Sequence, residues 1–434
     1  MKSNTKNINI ILKEVLEKVK PNEEELKSIN DLLKDFISEL EKNKKRLRIN
    51  AQIFVGGSFA KKTLIKKDYY DIDIFVRFDK KYSKENLSNF VEKIIGKSSK
   101  NKGNKCEKVH GSRDYFRVKV RDDLFFEIVP VKKIKNQKEA ENVTDLSYFH
   151  VNYVNKKLKG NILDEVLLAK AFCHATGCYG AESYIKGFSG YALELLIYHY
   201  KSFSKFIIAM TKVKDKEKLV IDSEKYYKNK AQVLMDINGA KLQSPIILVD
   251  PTHKQRNILA ALSEETFKKF QLACRNFIKN PSQKAFENKG IDFEKIESDA
   301  KRKKLDFILL EATTNKQEGD IAGSKLLKFY NHLGNEIKRY FEIKSSGFEY
   351  SGKKTARFAF AVKKKSEILI KGPSTNQEKH VKRFKSAHKK TFVKNKRIYA
   401  KEKTDFQLRD FITRWKDSNI DRIKEMYIFG LKVL

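Results

Sequence analysis

Apolar side chains recur on one face through residues 8–20, at Ile8, Ile11, Leu12, Val15, Leu16 and Val19. That is the spacing of an amphipathic helix, and Pro21 stops it. Asn22 stands where a cap is needed, ahead of Glu23, Glu24 and Glu25 at the positive end of a second helix. Its inner face would be Leu26, Ile29, Leu33, Phe36, Ile37 and Leu40. The period then shortens to two. Ile53-Phe54-Val55 predicts a short strand, and Asp71-Ile72-Asp73-Ile74-Phe75-Val76 a second. Alternation turns Ile72, Ile74 and Val76 into a core and leaves both acids on the opposite face. Ser83–Ile95 is predicted as a helix and Lys97–Lys105 as a polar, basic loop. Tyr115–Val120 alternates as a strand, and Leu124–Val131 is a nearly unbroken apolar strand with one exception, Glu127.

From about residue 136 to 270 the helical period dominates. Ile162–Thr176 is one helix, ended by Gly177, and Gly187-Phe188-Ser189-Gly190 is a turn into another, Tyr191–Tyr200. Ile246–Val249 is strand-like and runs into the turn Asp250-Pro251, and Ser263 begins a cap for a helix reaching about Phe277. The last third changes character. A strand at Phe307–Leu310, a long helix over about Ile321–Phe341 and strands near Gly347–Tyr350 and Ala356–Val362 give a βαββ order. From Ile368 onward cations and rings interleave, as in Arg383, Phe384, His388, Lys389, Lys390, Phe392, Arg397 and Tyr399, a mix suited to phosphates and stacked bases.

The chemistry concentrates early. Gly56-Gly57-Ser58 closes the first strand, and a helix expected over Phe59–Ile65 would present N–H groups to a phosphate. Twelve residues (59–70) separate Ser58 from Asp71. Asp71 and Asp73 are oxygen donors of the kind that hold a hard divalent cation such as Mg²⁺. A lone Asp-x-Asp is more often a solvated pair, and a lone Gly-Gly-Ser is usually only a turn. Glu127 adds to them: a carboxylate in an apolar strand is costly unless paired or bound to metal, and a third acid completes a two-metal site. Together, in this order, these residues resemble the nucleotidyltransferase signature of the DNA polymerase β superfamily.

Composition narrows the partners. The chain has 434 residues, room for two to four domains, and 92 Lys and Arg against 55 Asp and Glu, a net charge of +37. A lysine-rich background accounts for part of that excess, and a polyanion partner, nucleic acid first, for the rest. Cys106, Cys173, Cys178 and Cys274 have no zinc spacing and suit reduced thiols in a cytoplasmic protein. No apolar run approaches the ~18 residues of a membrane span, and residues 1–9 lack a signal-peptide core.

Further motifs extend the resemblance over most of the chain. Tyr179-Gly180-Ala181-Glu182, Gly187-Phe188-Ser189-Gly190-Tyr191, Glu194-Leu195-Leu196, Val249-Asp250-Pro251 and Arg256–Leu262 are similar to the central helices of archaeal-type (class I) CCA-adding enzymes, tRNA nucleotidyltransferases. Gly372-Pro373, His380 and Phe384 echo the family's C-terminal part more loosely. The resemblance implies an α+β, multi-domain enzyme: a nucleotidyltransferase head over 1–135, a helical neck over 136–270 that reads the nucleotide, and an α+β body and tail over 271–434 that hold tRNA. It implies that Asp71, Asp73 and Glu127 bind Mg²⁺, that Ser58 and Lys61 contact the triphosphate, and that His150 sits beside the nucleotide. Lys170 and Tyr179 would bind triphosphate and sugar, and Arg256 would help select the base. Taken alone, Lys170 reads better as a snorkelling lysine and His150 as a core histidine. The expected reaction is untemplated addition of C, C and A to a tRNA 3′ end from CTP and ATP, with release of pyrophosphate, and a homodimer is one expected state. The other readings are a poly(A) or oligoadenylate-type polymerase and a tRNA-binding protein without activity. Three positions depart from the pattern: Lys61 replaces a common arginine, and Leu146 and Tyr148 replace an arginine and a proline.

Overall fold

The computed structural model describes residues 2–96, 105–111, 113–403 and 405–434, with side chains from Ile8 onward. The loop expected at Lys97–Lys105 lies outside these residues except for Lys105. The chain divides into two compact units, residues 1–288 and 289–434.

In the first unit β1 (Ala51–Val55), β2 (Tyr70–Phe78), β3 (Cys106–Val109), β4 (Tyr115–Arg121) and β5 (Leu124–Lys132) form a mixed sheet in the order β1-β2-β5-β4-β3. Only β2 and β5 run parallel. Ile72, Ile74 and Val76 are wholly buried against Phe126 and Ile128 and against Ile29, Leu33 and Leu40 of helix Glu23–Arg46. That helix is capped as its sequence predicts, Asn22 Oδ1 accepting from the Glu25 N–H at 2.6 Å. Full burial of each such side chain is worth about 1.5–3 kcal/mol. A one-residue slip of β2 would bury Asp71 and Asp73 instead, so the apolar face fixes the register that exposes the acids.

The helix expected over Phe59–Ile65 is a single turn, Gly57–Ala60. Lys62 adopts a left-handed φ of 56°, and the Thr63 N–H returns to Ser58 O at 2.9 Å. This is a C-terminal lock that ends a helix; its effect is to turn Lys61 and Thr63 inward, where both are buried.

A second core lies among helices Ser147–Lys157, Asn161–Ala175, Gly190–Tyr200, Phe203–Thr211 and Glu264–Lys279. Phe172 is at its centre, with the rings of Phe203, Phe270, Phe277 and Phe286 at 5.4, 5.9, 5.8 and 5.4 Å. Helix Lys2–Val19 adds Leu12 and Val15 to this core although it precedes the sheet in sequence. Cys173, Cys178 and Cys274 are buried here as free thiols. Beside the expected strand, β7 (Ile246–Asp250), the chain adds β6 (Leu219–Ile221) and β8 (His253–Asn257) as a small sheet in the order β6-β7-β8. The polar sequence of β8 hid it from a hydrophobic-pattern reading.

The second unit bears out the βαββ order. β9 (Asp306–Thr314), helix Asp320–Tyr340, β10 (Phe341–Tyr350) and β11 (Thr355–Lys364) follow one another. β12 (Glu367–Ser374), β13 (Thr391–Lys394) and β14 (Arg397–Lys403) form a separate sheet, β12-β14-β13, with helix Glu378–Ala387. The last strand, β15 (Ile428–Val433), returns to pair with β9 and completes the order β10-β11-β9-β15. Leu326, Phe329, Leu333 and Ile337 of the long helix pack on Leu310, Phe358 and Phe360. Among the described residues no helix is long and apolar enough to cross a membrane.

Replacing Phe172 by alanine removes the ring that four others surround, and is expected to cost about 3–5 kcal/mol. Urea denaturation measures this directly; a loss below about 1 kcal/mol would show that the cluster collapses around the gap.

Candidate active site

The residues singled out from sequence fall into three adjoining groups on the first unit. The first is the acid group. Asp71 and Asp73 lie on the solvent-facing side of β2, and Asp73 pairs in register with Glu127 on β5. Burial, with the charge of Asp71 added, pushes the Asp73 carboxyl up to about 6 against the pull of Lys61 and Lys170. Burial first, then Asp73 and Asp71, push Glu127 up to about 8, with Arg117 opposing. Arg117, on β4, donates to Asp71 Oδ1 at 2.7 Å and brings Nε within 3.7 Å of Glu127 Oε1. Desolvation with incomplete charge compensation thus raises Asp73 and Glu127. All their donors are oxygens, which suits a hard divalent cation. Among the described residues no three His, Cys, Asp or Glu side chains close into a cage by themselves; here a guanidinium bridges two of the acids.

The turn after β1 is pressed against this group. The Gly56 N–H donates to Asp73 O at 2.8 Å. Gly57 has φ of +60°, and a Cβ there would stand 1.7 Å from Asp73 Oδ2. Only glycine allows that approach. Ser58 lies within the one-turn helix that Gly57 opens, and is partly exposed.

The second group is a buried polar knot. Glu194, with no exposed surface, accepts from Lys61 Nζ through Oε2 at 2.6 Å, and through Oε1 from Thr63 Oγ1 at 2.7 Å and Lys170 Nζ at 3.0 Å. Lys170 Nζ also donates to Thr63 O at 2.9 Å and Thr63 Oγ1 at 2.8 Å, so all three of its N–H bonds have acceptors. Burial lowers Lys170 to about 8 even with Glu194 beside it. Burial alone would raise Glu194; Lys61 and Lys170 more than offset that and bring it down to about 2. Tyr179 adjoins this knot. Its backbone is held by a bridge to Phe188, its ring stacks on His174 at 3.8 Å, and its hydroxyl lies beside Gly190, which in turn lies beside Lys170.

The third group surrounds Asp250 at the end of β7. Arg256 Nη1 donates to Asp250 Oδ2 at 2.7 Å, and His150 Nε2 lies 3.3 Å from the same oxygen. Tyr191 donates to Asp250 Oδ1 at 3.2 Å and stacks on His150 at 4.0 Å. Burial would raise Asp250, but His150 and Arg256 hold it well below the usual carboxylate range, and burial keeps His150 below its ordinary value. Lys61 lies 5.7 Å over the Tyr191 ring and so joins the second group to the third.

All nine sequence-selected residues therefore occur in one neighbourhood. Glu194, Thr63, Arg117 and Asp250 were not selected for a role. A glutamate amid the apolar run Ala192–Ile197 was the available signal for Glu194, of the same kind that marked Glu127. The departures at 146 and 148 are accommodated structurally. Leu146 is buried, Tyr148 lies under the Arg77 guanidinium at 3.8 Å, and Arg113 grips Asp145 through two bonds of 2.6 and 3.2 Å.

Comparison with known proteins places the chain in a family. Residues 33–161 match the family described as nucleotidyltransferase domain, and residues 164–287 match tRNA nucleotidyltransferase, second domain. The CCA-adding enzyme of Nanoarchaeum equitans is 43% identical over 215 residues, which is 50% of this chain and 52% of that protein, so the match spans about half of that relative. The CCA-adding enzyme of Methanocaldococcus jannaschii is 28% identical over 90% of this chain and 86% of its own. That of Saccharolobus solfataricus is 31% identical over 76% of this chain and 73% of its own. Among solved structures, the Cid1 poly(U) polymerase with MgGTP bound is 13% identical, with a TM-score of 0.50 over 65% of this chain and 99% of that one. The likeness is one of fold.

Gly57→Ala is expected to push the Asp73 carboxylate aside and to strain the turn, costing about 1–3 kcal/mol. Thermal unfolding of the variant, with a crystal structure to locate Asp73, would decide it; an unshifted carboxylate would contradict the close approach.

Proposed function

The chain belongs to the family of archaeal CCA-adding enzymes, nucleotidyltransferases that act on tRNA with nucleoside triphosphates, and on that basis we propose that it completes the tRNA 3′ end by adding C, C and then A from CTP and ATP. The observation that carries this reading is the convergence of three acids, two lysines and a fixed arginine on a single site. One site must then serve both nucleotides. The tRNA elbow as a second point of contact, a homodimeric state and a cytoplasmic location belong to the same reading.

In this mechanism Asp71, Asp73 and Glu127 would hold Mg²⁺. Bound there, Mg²⁺ would lower the pKa of the RNA 3′-hydroxyl and offset charge on the triphosphate and departing pyrophosphate. Ser58 and Lys61 bind the triphosphate next to the Gly57 turn, where the backbone comes close. Lys170 keeps positive charge under the phosphates, and Tyr179 offers its hydroxyl to the sugar. His150, flat against Tyr191, lies beside the nucleotide. Arg256 is held by Asp250 through Nη1, and its other donors would be free to read the edge of a base. Fixed donors cost little reorganisation when the nucleotide arrives.

Asp73→Asn is expected to lower transfer by about a thousandfold or more while tRNA binding survives, because the acid serves the reacting phosphate rather than the RNA body. Parallel filter-binding and primer-extension measurements test this, and an equal loss of tRNA affinity would contradict the metal-ligand role.

A tRNA ending at its discriminator base should gain two C residues with CTP alone and stop, then gain one A when ATP is added. Arg256→Ala should blur the choice between CTP and ATP more than it slows transfer. A sequencing gel separates the outcomes, and a long A ladder from ATP alone would mean a poly(A) polymerase.

The C-terminal cations are best tested by substitution. Truncation at Ile368 would also remove β15, which pairs with β9 in the larger sheet. Lys389 and Lys390 are exposed. Reversing both is expected to weaken tRNA binding without changing CTP binding, and to flatten the salt dependence by about one unit of slope for each phosphate no longer neutralised. Unchanged tRNA affinity over a salt series would remove this segment from the RNA grip.

A further inference from the structure

We propose that Glu194 is a positioning residue for nucleotide transfer: a buried internal anion that holds the ammonium groups of Lys61 and Lys170 together where the triphosphate is received. The inference rests on the proposed function and adds a residue to it. Glu194 touches neither the catalytic acids nor Arg256 in the structure; it acts through the two lysines.

The geometry carries the argument. One carboxylate receives Lys61 on one oxygen and Lys170 on the other, at 2.6 and 3.0 Å. The two cations come from different parts of the unit, Lys61 from the turn after β1 and Lys170 from helix Asn161–Ala175. Two ammonium groups this close repel, and a buried anion between them is what allows both to stay. Thr63 closes the ring, donating to Glu194 while accepting from Lys170.

The division of hydrogen bonds gives each member a distinct part. Lys170 has all three donors satisfied within the knot. Lys61 gives one bond to Glu194, and its two other donors have no protein acceptor among the described residues. Lys61 is therefore the cation with hydrogen bonds left to offer a phosphate, and Lys170 is the one that braces it. A second consequence concerns charge. Two lysines and one glutamate leave a single net positive charge among buried side chains, and an arriving triphosphate supplies the balancing anion. Lys170, already lowered by burial, relies on Glu194 to stay charged.

The test compares full-length wild-type protein with Glu194→Gln, Lys61→Met and the double variant. Tripolyphosphate binding is measured by calorimetry, and the KM for CTP and for tRNA by primer extension. Glu194→Gln should weaken tripolyphosphate binding and raise the KM for CTP about tenfold, leaving the KM for tRNA within about twofold. The double variant should be no weaker than Lys61→Met alone, because Lys61 is the member of the knot with hydrogen bonds left for the phosphate, and both Glu194 and Lys170 serve to position it. It also removes one cation with the anion, so it is informative if Glu194→Gln alone does not fold. Unchanged tripolyphosphate affinity in Glu194→Gln, additive losses in the double variant, or equal losses toward CTP and tRNA would each overturn the inference. A wild-type protein that binds tripolyphosphate but does not extend RNA would sink the proposed function and leave the lysine pair standing.

Discussion

Glu194 accepts hydrogen bonds from three side chains while exposing no surface to water, and the first unit is built around that fact. Desolvating a carboxylate costs several kcal/mol, and only close pairing with cations returns it. Lys61 and Lys170 supply the pairing, and in doing so tie the turn after β1 to helix Asn161–Ala175. The helix after β1 ends at Ala60, and Lys61 and Thr63 face inward and reach Glu194. The same turn brings Gly57 against Asp73. A single buried charge thus connects the helical layer to the acid-bearing strand.

The fold sets the three acids on one part of the site and the two paired lysines on another. The acids stand on adjacent parallel strands, whose pairing sets Asp73 beside Glu127. The lysines come from the turn after β1 and from helix Asn161–Ala175, while Arg117 on β4 lies among the acids. Burial and nearby carboxylates raise Asp73 and Glu127, while the lysines hold Glu194 down. A triphosphate with its metal ion has both kinds of charge, phosphate oxygens for the lysines and a cation for the acids. The Asp250 group adds direction: a carboxylate, a histidine, a tyrosine and an arginine contact one another around one buried acid.

The second unit follows a different logic. Its larger sheet is closed by the last strand of the chain, so the basic sheet β12-β14-β13 with helix Glu378–Ala387 is an insertion between partners in one sheet. The exposed cations on and after helix Glu378–Ala387 can vary in charge without touching that core, which packs Leu310, Phe329 and Phe358. Charge and stability are therefore separable there, unlike in the first unit, where the cations are structural.

Elements whose signal is local were legible from residue order alone. Alternation placed Ile72, Ile74 and Val76 inside and Asp71 and Asp73 outside, and the capping of helix Glu23–Arg46 and the βαββ order were readable from period, cap and turn residues. Residue order also singled out Asp71, Asp73, Glu127 and the Gly56-Gly57-Ser58 turn, because a charge in an apolar strand or a glycine pair before a helix departs from what packing alone would choose; Lys61, His150, Lys170, Tyr179 and Arg256 were marked only by resemblance to the family. What those residues meet was set by the packing of distant elements. That Lys61 and Lys170 share one carboxylate, that Arg117 bridges Asp71 and Glu127, and that β15 returns to β9 are long-range pairings. No periodicity encodes such pairings, since they depend on where separate elements come to rest. The turn after β1 shows the boundary between the two. Its residues can form a helix, but the left-handed Lys62 ends it after one turn, and Lys61 and Thr63 then face a Glu194 that lies far away in sequence.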